Sequence, residues 1–155
     1  MSDDDWSVQA PNWMDAMGEF AAGATVMSGA FAAMTFRDRG VPGDGHPVVL
    51  IPGLGAAPMA MTPLHAVVAA AGYEPHHWDG GFVTGYDFDR EKALFDQVRD
   101  LHERTGRKVS LIGWSLGGAY ARAAALDMPE CVRQVTTLGT PFRGVEDTFP
   151  GKLYE

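Results

Sequence analysis

Gly113-Trp114-Ser115-Leu116-Gly117 is the stretch of this chain whose residue types and spacing could do chemistry. A serine hydroxyl is a weak nucleophile, so it must be held where a base can take its proton and where donors can receive a developing oxyanion. A sharp turn from a strand into a helix does the holding. Glycines two positions to either side are what such a turn demands, because side chains there would collide with the neighbouring strand and helix. Gly118 extends the slim surface. The helix that opens at Leu116 aims its open N–H groups and the positive end of its dipole toward Ser115, which suits an anionic tetrahedral intermediate. The five residues alone are a weak motif. Their setting, after a buried apolar run and before a helix, gives them weight.

The base is the difficulty. All five histidines, His46, His65, His76, His77 and His102, precede Ser115. His76 and His77 end a short strand on the side where ligands gather in open α/β sheets, so one of them could border a pocket, although a structural role is the simpler reading. His46 begins a strand at the opposite edge, and His65 and His102 fall within helices. No pair has metal-ligand spacing supported by other ligands, so neither a metal nor a cofactor is expected. Of the acids after Ser115, Asp127 and Glu130 sit at a helix end and read as solvated, and Glu146 or Asp147 is a weak candidate for an orienting acid.

The elements that must position Ser115 alternate. Val48-Val49-Leu50-Ile51 is a short, fully apolar, β-branched run of the kind buried on both faces of a parallel sheet. Pro52-Gly53-Leu54-Gly55 breaks it, and residues 62–71 read as a helix ended by Gly72. Residues 73–78 form a weaker strand with Pro75 inside it. After a loop marked by Gly80, Gly81 and Gly85, Asp87 or Asp89 can cap a helix that runs to Thr105. Leu94, Phe95, Val98, Leu101 and His102 lie at helical spacing in it, and Gly106 closes it. Residues 109–112 are the next buried strand, 116–128 the helix after the turn, and 135–138 the last strand. This rhythm predicts an α/β fold with a mostly parallel sheet flanked by helices and joined by right-handed crossovers. An oxyanion hole then needs a second donor from the loop after an earlier strand, and Gly53-Leu54 stands in that place. The two donors expected are the backbone N–H groups of Leu54 and Leu116.

The 155 residues divide into an N-terminal helical segment with its loop, 1–45, and an α/β core, 46–155. A chain of this length buries roughly 70% of its unfolded surface. Its 46% hydrophobic and 21% charged content is that of a globular protein. A net charge of -8 repels a nucleic-acid backbone, so no nucleic-acid partner is expected. Cys131 is the single cysteine, which excludes an internal disulfide. Residues 1–6 carry three aspartates where a secretory signal would carry lysine or arginine; a cytoplasmic location is expected. Residues 20–36 hold no charge but are rich in small residues and shorter than the ~20 a spanning helix needs. They read as an extra N-terminal helix packed on the domain, or as an amphipathic helix that makes peripheral membrane contact or docks a partner. Met14, Met17, Met27 and Met34 divide between the same two readings.

Residues 47–55, 108–122 and 135–144 together resemble the α/β-hydrolase fold family. Leu138-Gly139-Thr140-Pro141-Phe142-Arg143-Gly144 resembles the Gly-Thr-Pro segment that follows the strand after the nucleophile helix in its bacterial lipases and esterases. The resemblance implies a serine hydrolase acting on carboxylic esters, with Ser115 as nucleophile of a Ser-His-Asp triad and an apolar ester or lipid-like small molecule as substrate. In that family the order along the chain is serine, acid, histidine. The strands that carry the last two have no counterpart before Glu155, so the triad acid and histidine are expected beyond it and the fold is expected to be partial. Strand 135–138 would then be an apolar, open edge, covered by a missing C-terminal portion, the N-terminal helix or a second copy in a homodimer. The alternative is a non-catalytic or truncated module that binds an apolar ligand or a protein partner. A dinucleotide reading of Gly53-x-Gly55 with Glu74 is disfavoured by Pro52 before the turn and Pro58 after it.

Overall fold

The computed structural model of the chain describes residues 42–141, and the expected N-terminal helix, Phe142, Glu146 and Asp147 lie outside these residues. Four strands, β1 (Pro47–Ile51), β2 (Glu74–His77), β3 (Val109–Trp114) and β4 (Val132–Leu138), make one sheet. All pairings are parallel and the order is β2-β1-β3-β4. Three helices connect them: α1 (Thr62–Ala70), entered through a 3-10 turn at Pro58–Met61, α2 (Phe88–Thr105) and α3 (Leu116–Asp127). No helix among the described residues is long and apolar enough to cross a membrane.

Side chains alternate across a strand, so β1 and β3 feed two cores. Val49, Ile51, Val109 and Leu111 meet Leu94, Val98 and Leu101 of α2 and Tyr120, Ala121 and Ala124 of α3. On the other face Val48 and Leu50 meet Met61 and Val68, with Leu64 and Tyr73 packed against them. Every residue of β1 is buried, as its unbroken apolar run requires. Among the described residues β2 is an outer strand, which is where Pro75 is tolerated, since its missing N–H can face away from the ladder. At the start of α2 the Asp87 carboxylate accepts from the Arg90 N–H at 2.9 Å, and Gly106 ends the helix in the left-handed conformation, φ 64°.

β4 begins three residues earlier than its apolar run suggests. Val132 already pairs with Val109, and the register then skips Arg133, so that Ser110 faces Gln134. This bulge turns Arg133 out of the ladder toward Asp44, which its guanidinium reaches at 2.8 Å. The outer face of the strand is accordingly less apolar than residues 135–138 alone imply: Arg133, Gln134, Thr136 and Leu138 are all exposed.

The rings of His65 on α1 and His77 on β2 stack with centroids 4.7 Å apart. Burial, and then the charge of His65, press the His77 pKa below its ordinary value of 6.5. A base with a depressed folded-state pKa holds more protons unfolded than folded, so its contribution is intact above about pH 6.5 and is lost as pH falls from there through the folded value. The urea midpoint is therefore expected to drop between about pH 7.5 and pH 5, and the drop is expected to shrink in His77→Gln. An unchanged pH dependence in that variant would remove His77 as its source.

Candidate functional site

β1 lies between β2 and β3, so the chain leaves β1 toward one edge of the sheet and fills the other side only when it returns as β3. Connections that leave two adjacent parallel strands in opposite directions open a crevice at their carboxyl ends, where ligands bind in open α/β sheets. Ile51 is opposite Gly113 in the register. Two residues further on each strand stand Gly53 and Ser115, which puts the turn after β1 beside the serine.

Ser115 joins β3 to α3 with φ 51° and ψ −119°. Among the described residues it is the one non-glycine residue with positive φ. Such backbone costs about 1–3 kcal/mol and persists only where its surroundings over-determine it. Here they do. The Ser115 N–H donates to the Leu138 carbonyl at 2.8 Å, and its own carbonyl accepts from the Gly118 N–H at 3.0 Å and from Thr140 Oγ1 at 2.7 Å. The Ser115 hydroxyl, by contrast, does not cap the helix that follows it. The peptide is tied down while the hydroxyl oxygen is left uncommitted to α3.

The glycines are explained by contact. A Cβ on Gly113 would run into the backbone of Gly117 and Gly118, and one on Gly118 would run into Thr140. One on Gly117 would lie 2.6 Å from the Pro52 carbonyl oxygen, and one on Gly53 would lie 3.1 Å from Ser115 Cβ. The close approach thus joins α3 to the end of β1 and brings the 53–55 turn against the serine. Leu116 is buried in the larger core and Leu54 packs against it, so both side chains serve packing. Neither amide donates to a protein acceptor among the described residues. The turn is in turn tied to the loop between β2 and α2. The Gly55 N–H donates to the Val83 carbonyl at 2.8 Å and the Val83 N–H to the Ala56 carbonyl at 3.0 Å.

No histidine stands near Ser115. His77 ends β2, two strands away from β3, or roughly 10 Å at the usual strand spacing. Its ring is stacked on His65. His65 and His102 lie in α1 and α2, and Asp127 and Glu130 are exposed at the far end of α3. His46 is the finding the sequence reading missed. Its Nε2 is 2.7 Å from Ser110 Oγ and its Nδ1 is 2.5 Å from Asp44 Oδ1, a Ser-His-Asp chain of hydrogen bonds. Arg107 and Arg133 flank the Asp44 carboxylate at 2.9 and 2.8 Å. The His46 bond, then that of Arg133, hold the Asp44 carboxyl well below the usual range. The arrangement is nonetheless a latch. Ser110 is 2% exposed and His46 3%, and Ser110 sits inside the ladder between Val48 and Gln134. It is also the second residue of β3 while Ser115 follows the strand's end, five residues on, or roughly 16 Å at strand rise. His46 cannot serve Ser115. No group of three metal-ligating side chains is gathered among the described residues.

Thr140 is the other contact of the Ser115 turn that sequence reasoning passed over. It lies within the Gly-Thr-Pro segment, but only the fold shows that its hydroxyl supports the Ser115 carbonyl.

Residues 48–152 match the alpha/beta hydrolase family. The chain is 35% identical over 113 residues to the pimeloyl-(acyl-carrier protein) methyl ester esterase of Shewanella woodyi, a match that takes in 70% of this chain and 43% of that protein. It is 45% identical over 70 residues to a triacylglycerol lipase of Pseudarthrobacter phenanthrenivorans, covering 41% of this chain and 22% of the lipase. In fold it is similar to the monoacylglycerol lipase of Paleococcus ferrophilus, with a TM-score of 0.53 and 24% identity over 67% of this chain and 42% of that one. The chain spans less than half the length of each of these relatives.

The contacts of Gly117 predict the cost of filling it. Gly117→Ala is expected to lower the unfolding free energy by about 1–3 kcal/mol, as overpacking against immovable backbone does. Gly106→Ala, where φ is 64° but no atom is within reach of a Cβ, is expected to show the smaller loss of backbone strain alone, about 1 kcal/mol. Urea denaturation of the two variants checks this, and equal losses would rule out the contact as the cause.

Proposed function

The chain belongs to the alpha/beta hydrolase family, and on that premise we propose that it supplies the nucleophile and oxyanion hole of a serine hydrolase acting on carboxylic esters. Ser115 is the nucleophile, and the backbone N–H groups of Leu54 and Leu116 receive the oxyanion. The observation that carries the reading is the strained Ser115 turn at the carboxyl end of β3, with the 53–55 turn packed against its side chain. Ser115 Oγ attacks the ester carbonyl carbon as a base takes its proton, and the tetrahedral oxygen is held by the two amides. The alcohol then leaves and water releases the acid from the acyl-enzyme. One oxyanion donor is worth about 3 kcal/mol in such a step. The reading also needs a base and an orienting acid, and no histidine among the described residues is placed to serve Ser115.

An apolar ester fits the surroundings. Met59 follows the 53–55 turn and Phe82 adjoins Val83, and they are 67% and 53% exposed. Relatives named as lipases and a methyl ester esterase support the same substrate class. The absence of a histidine beside Ser115 favours a second reading, a non-catalytic module that binds an apolar ligand or a protein partner.

A fluorophosphonate probe separates the two. The expected result is a slow label on Ser115 that is lost in Ser115→Ala and kept in Ser110→Ala. Turnover of a short-chain nitrophenyl ester is expected to stay near the ~10³ over water that an oxyanion hole and binding provide without a complete triad. No label and no turnover would sink the hydrolase reading for this chain and leave the binding one.

A further inference from the structure

The loop between β2 and α2 crosses beside the 53–55 turn, and it is bonded at both ends of that crossing. Among the described residues, the main-chain hydrogen bonds of residues 53–57 to any other segment are the two with Val83, whose side chain is fully buried in the larger core. Two residues further along, the Tyr120 hydroxyl donates to the Gly85 carbonyl at 2.8 Å and accepts from the Asp87 N–H at 3.0 Å. Tyr86 stacks on the Tyr120 ring at 4.4 Å, and Trp78 packs on it at 5.1 Å. Tyr120 is fully buried on α3 and stands one helical turn after Leu116, on the same face.

A closed circuit follows. Ser115 and Leu116 begin α3; Tyr120 of α3 holds the loop at Gly85 and Asp87; the loop holds Gly55 and Ala56 through Val83; and Gly53 returns to the Ser115 side chain. We propose that Tyr120 is a positioning residue whose hydroxyl fixes the Leu54 amide relative to Ser115 and Leu116 through Val83. A rigid helix and a flexible turn cannot hold two donors at a set spacing by themselves. The β1 strand ends at Ile51, and the turn beyond it has no ladder of its own. A single hydroxyl that donates to one end of the loop segment and accepts from the other removes its freedom to slide. Burial keeps Tyr120 a neutral hydroxyl, since it raises the pKa from the ordinary 10.0.

This inference rests on the reading of Ser115 as nucleophile for its meaning, but its mechanical part is separately measurable. Tyr120→Phe keeps the stacked ring and removes both bonds. In the full 155-residue chain, hydrogen exchange at the Gly55 and Val83 amides is expected to rise roughly tenfold while the β1 and β3 ladder amides are unchanged. The inactivation rate constant for fluorophosphonate at Ser115 is expected to fall about tenfold at unchanged probe affinity, the mark of a lost alignment rather than a lost binding contact. Val68→Ala, a truncation in α1 within the smaller core on the other face of the sheet, is the control for simple destabilisation and is expected to change neither readout. Unchanged exchange at Gly55 and Val83, or a rise shared equally with the ladder amides, would overturn the proposal. If Ser115 of the unsubstituted chain takes no label, the nucleophile reading fails while the exchange result still decides whether Tyr120 holds the turn.

Discussion

The close approach of α3 to β1 and β3 is the constraint on which the rest of this structure depends. The helix must start within one residue of the end of its strand, because Gly117 already lies against the Ile51 and Pro52 carbonyls and Gly113 against the backbone of Gly117 and Gly118. A right-handed strand cannot reverse into a helix so abruptly through ordinary backbone angles, so the intervening residue takes a positive φ. The strain, about 1–3 kcal/mol, is offset by the three hydrogen bonds that Leu138, Gly118 and Thr140 make to the Ser115 peptide, each worth about 1 kcal/mol. The Ser115 hydroxyl makes no capping bond to the helix that follows it.

The two ends of the sheet have different work. At the amino end, Asp44, His46, Ser110, Arg107 and Arg133 form a polar latch that ties the segment before β1 to β3 and to the bulge of β4. It has the atom types of a catalytic triad and lacks what catalysis needs, since its serine is buried and its main chain is consumed by two neighbouring strands. At the carboxyl end, Ser115 has strain, open amides and a turn pressed against it, and has no histidine beside it among the described residues. Residue types alone do not make a site; access and donors do.

The loop before α2 links the two halves of the candidate site. Its exposed residues, Phe82 and Tyr86 among them, suggest little order, yet Val83 and the hydroxyl of Tyr120 fasten it to the turn after β1 and to α3. A turn that follows a strand has no ladder to hold it, and this one gets its rigidity from a neighbour that is distant in sequence.

The sequence by itself determined the order of elements, the parallel sheet and Ser115 as the residue to watch. These are properties of local pattern: unbroken apolar runs at β1 and β3, helical spacing from Leu94 to Leu101, a capping Asp87, a closing Gly106, and glycines placed about a serine. The start of β4 was not legible, because Arg133 and Gln134 interrupt its pattern and only the bulge accommodates them. The partners of His46, 64 residues from Ser110, and of Tyr120, 35 residues from Gly85, were not legible either. Such pairings are set by strand register and by how a helix seats on a sheet, quantities that no single stretch of chain contains. The tertiary structure alone decided that His46 is a latch, that no histidine present serves Ser115, and that the turn after β1 is held by the loop before α2.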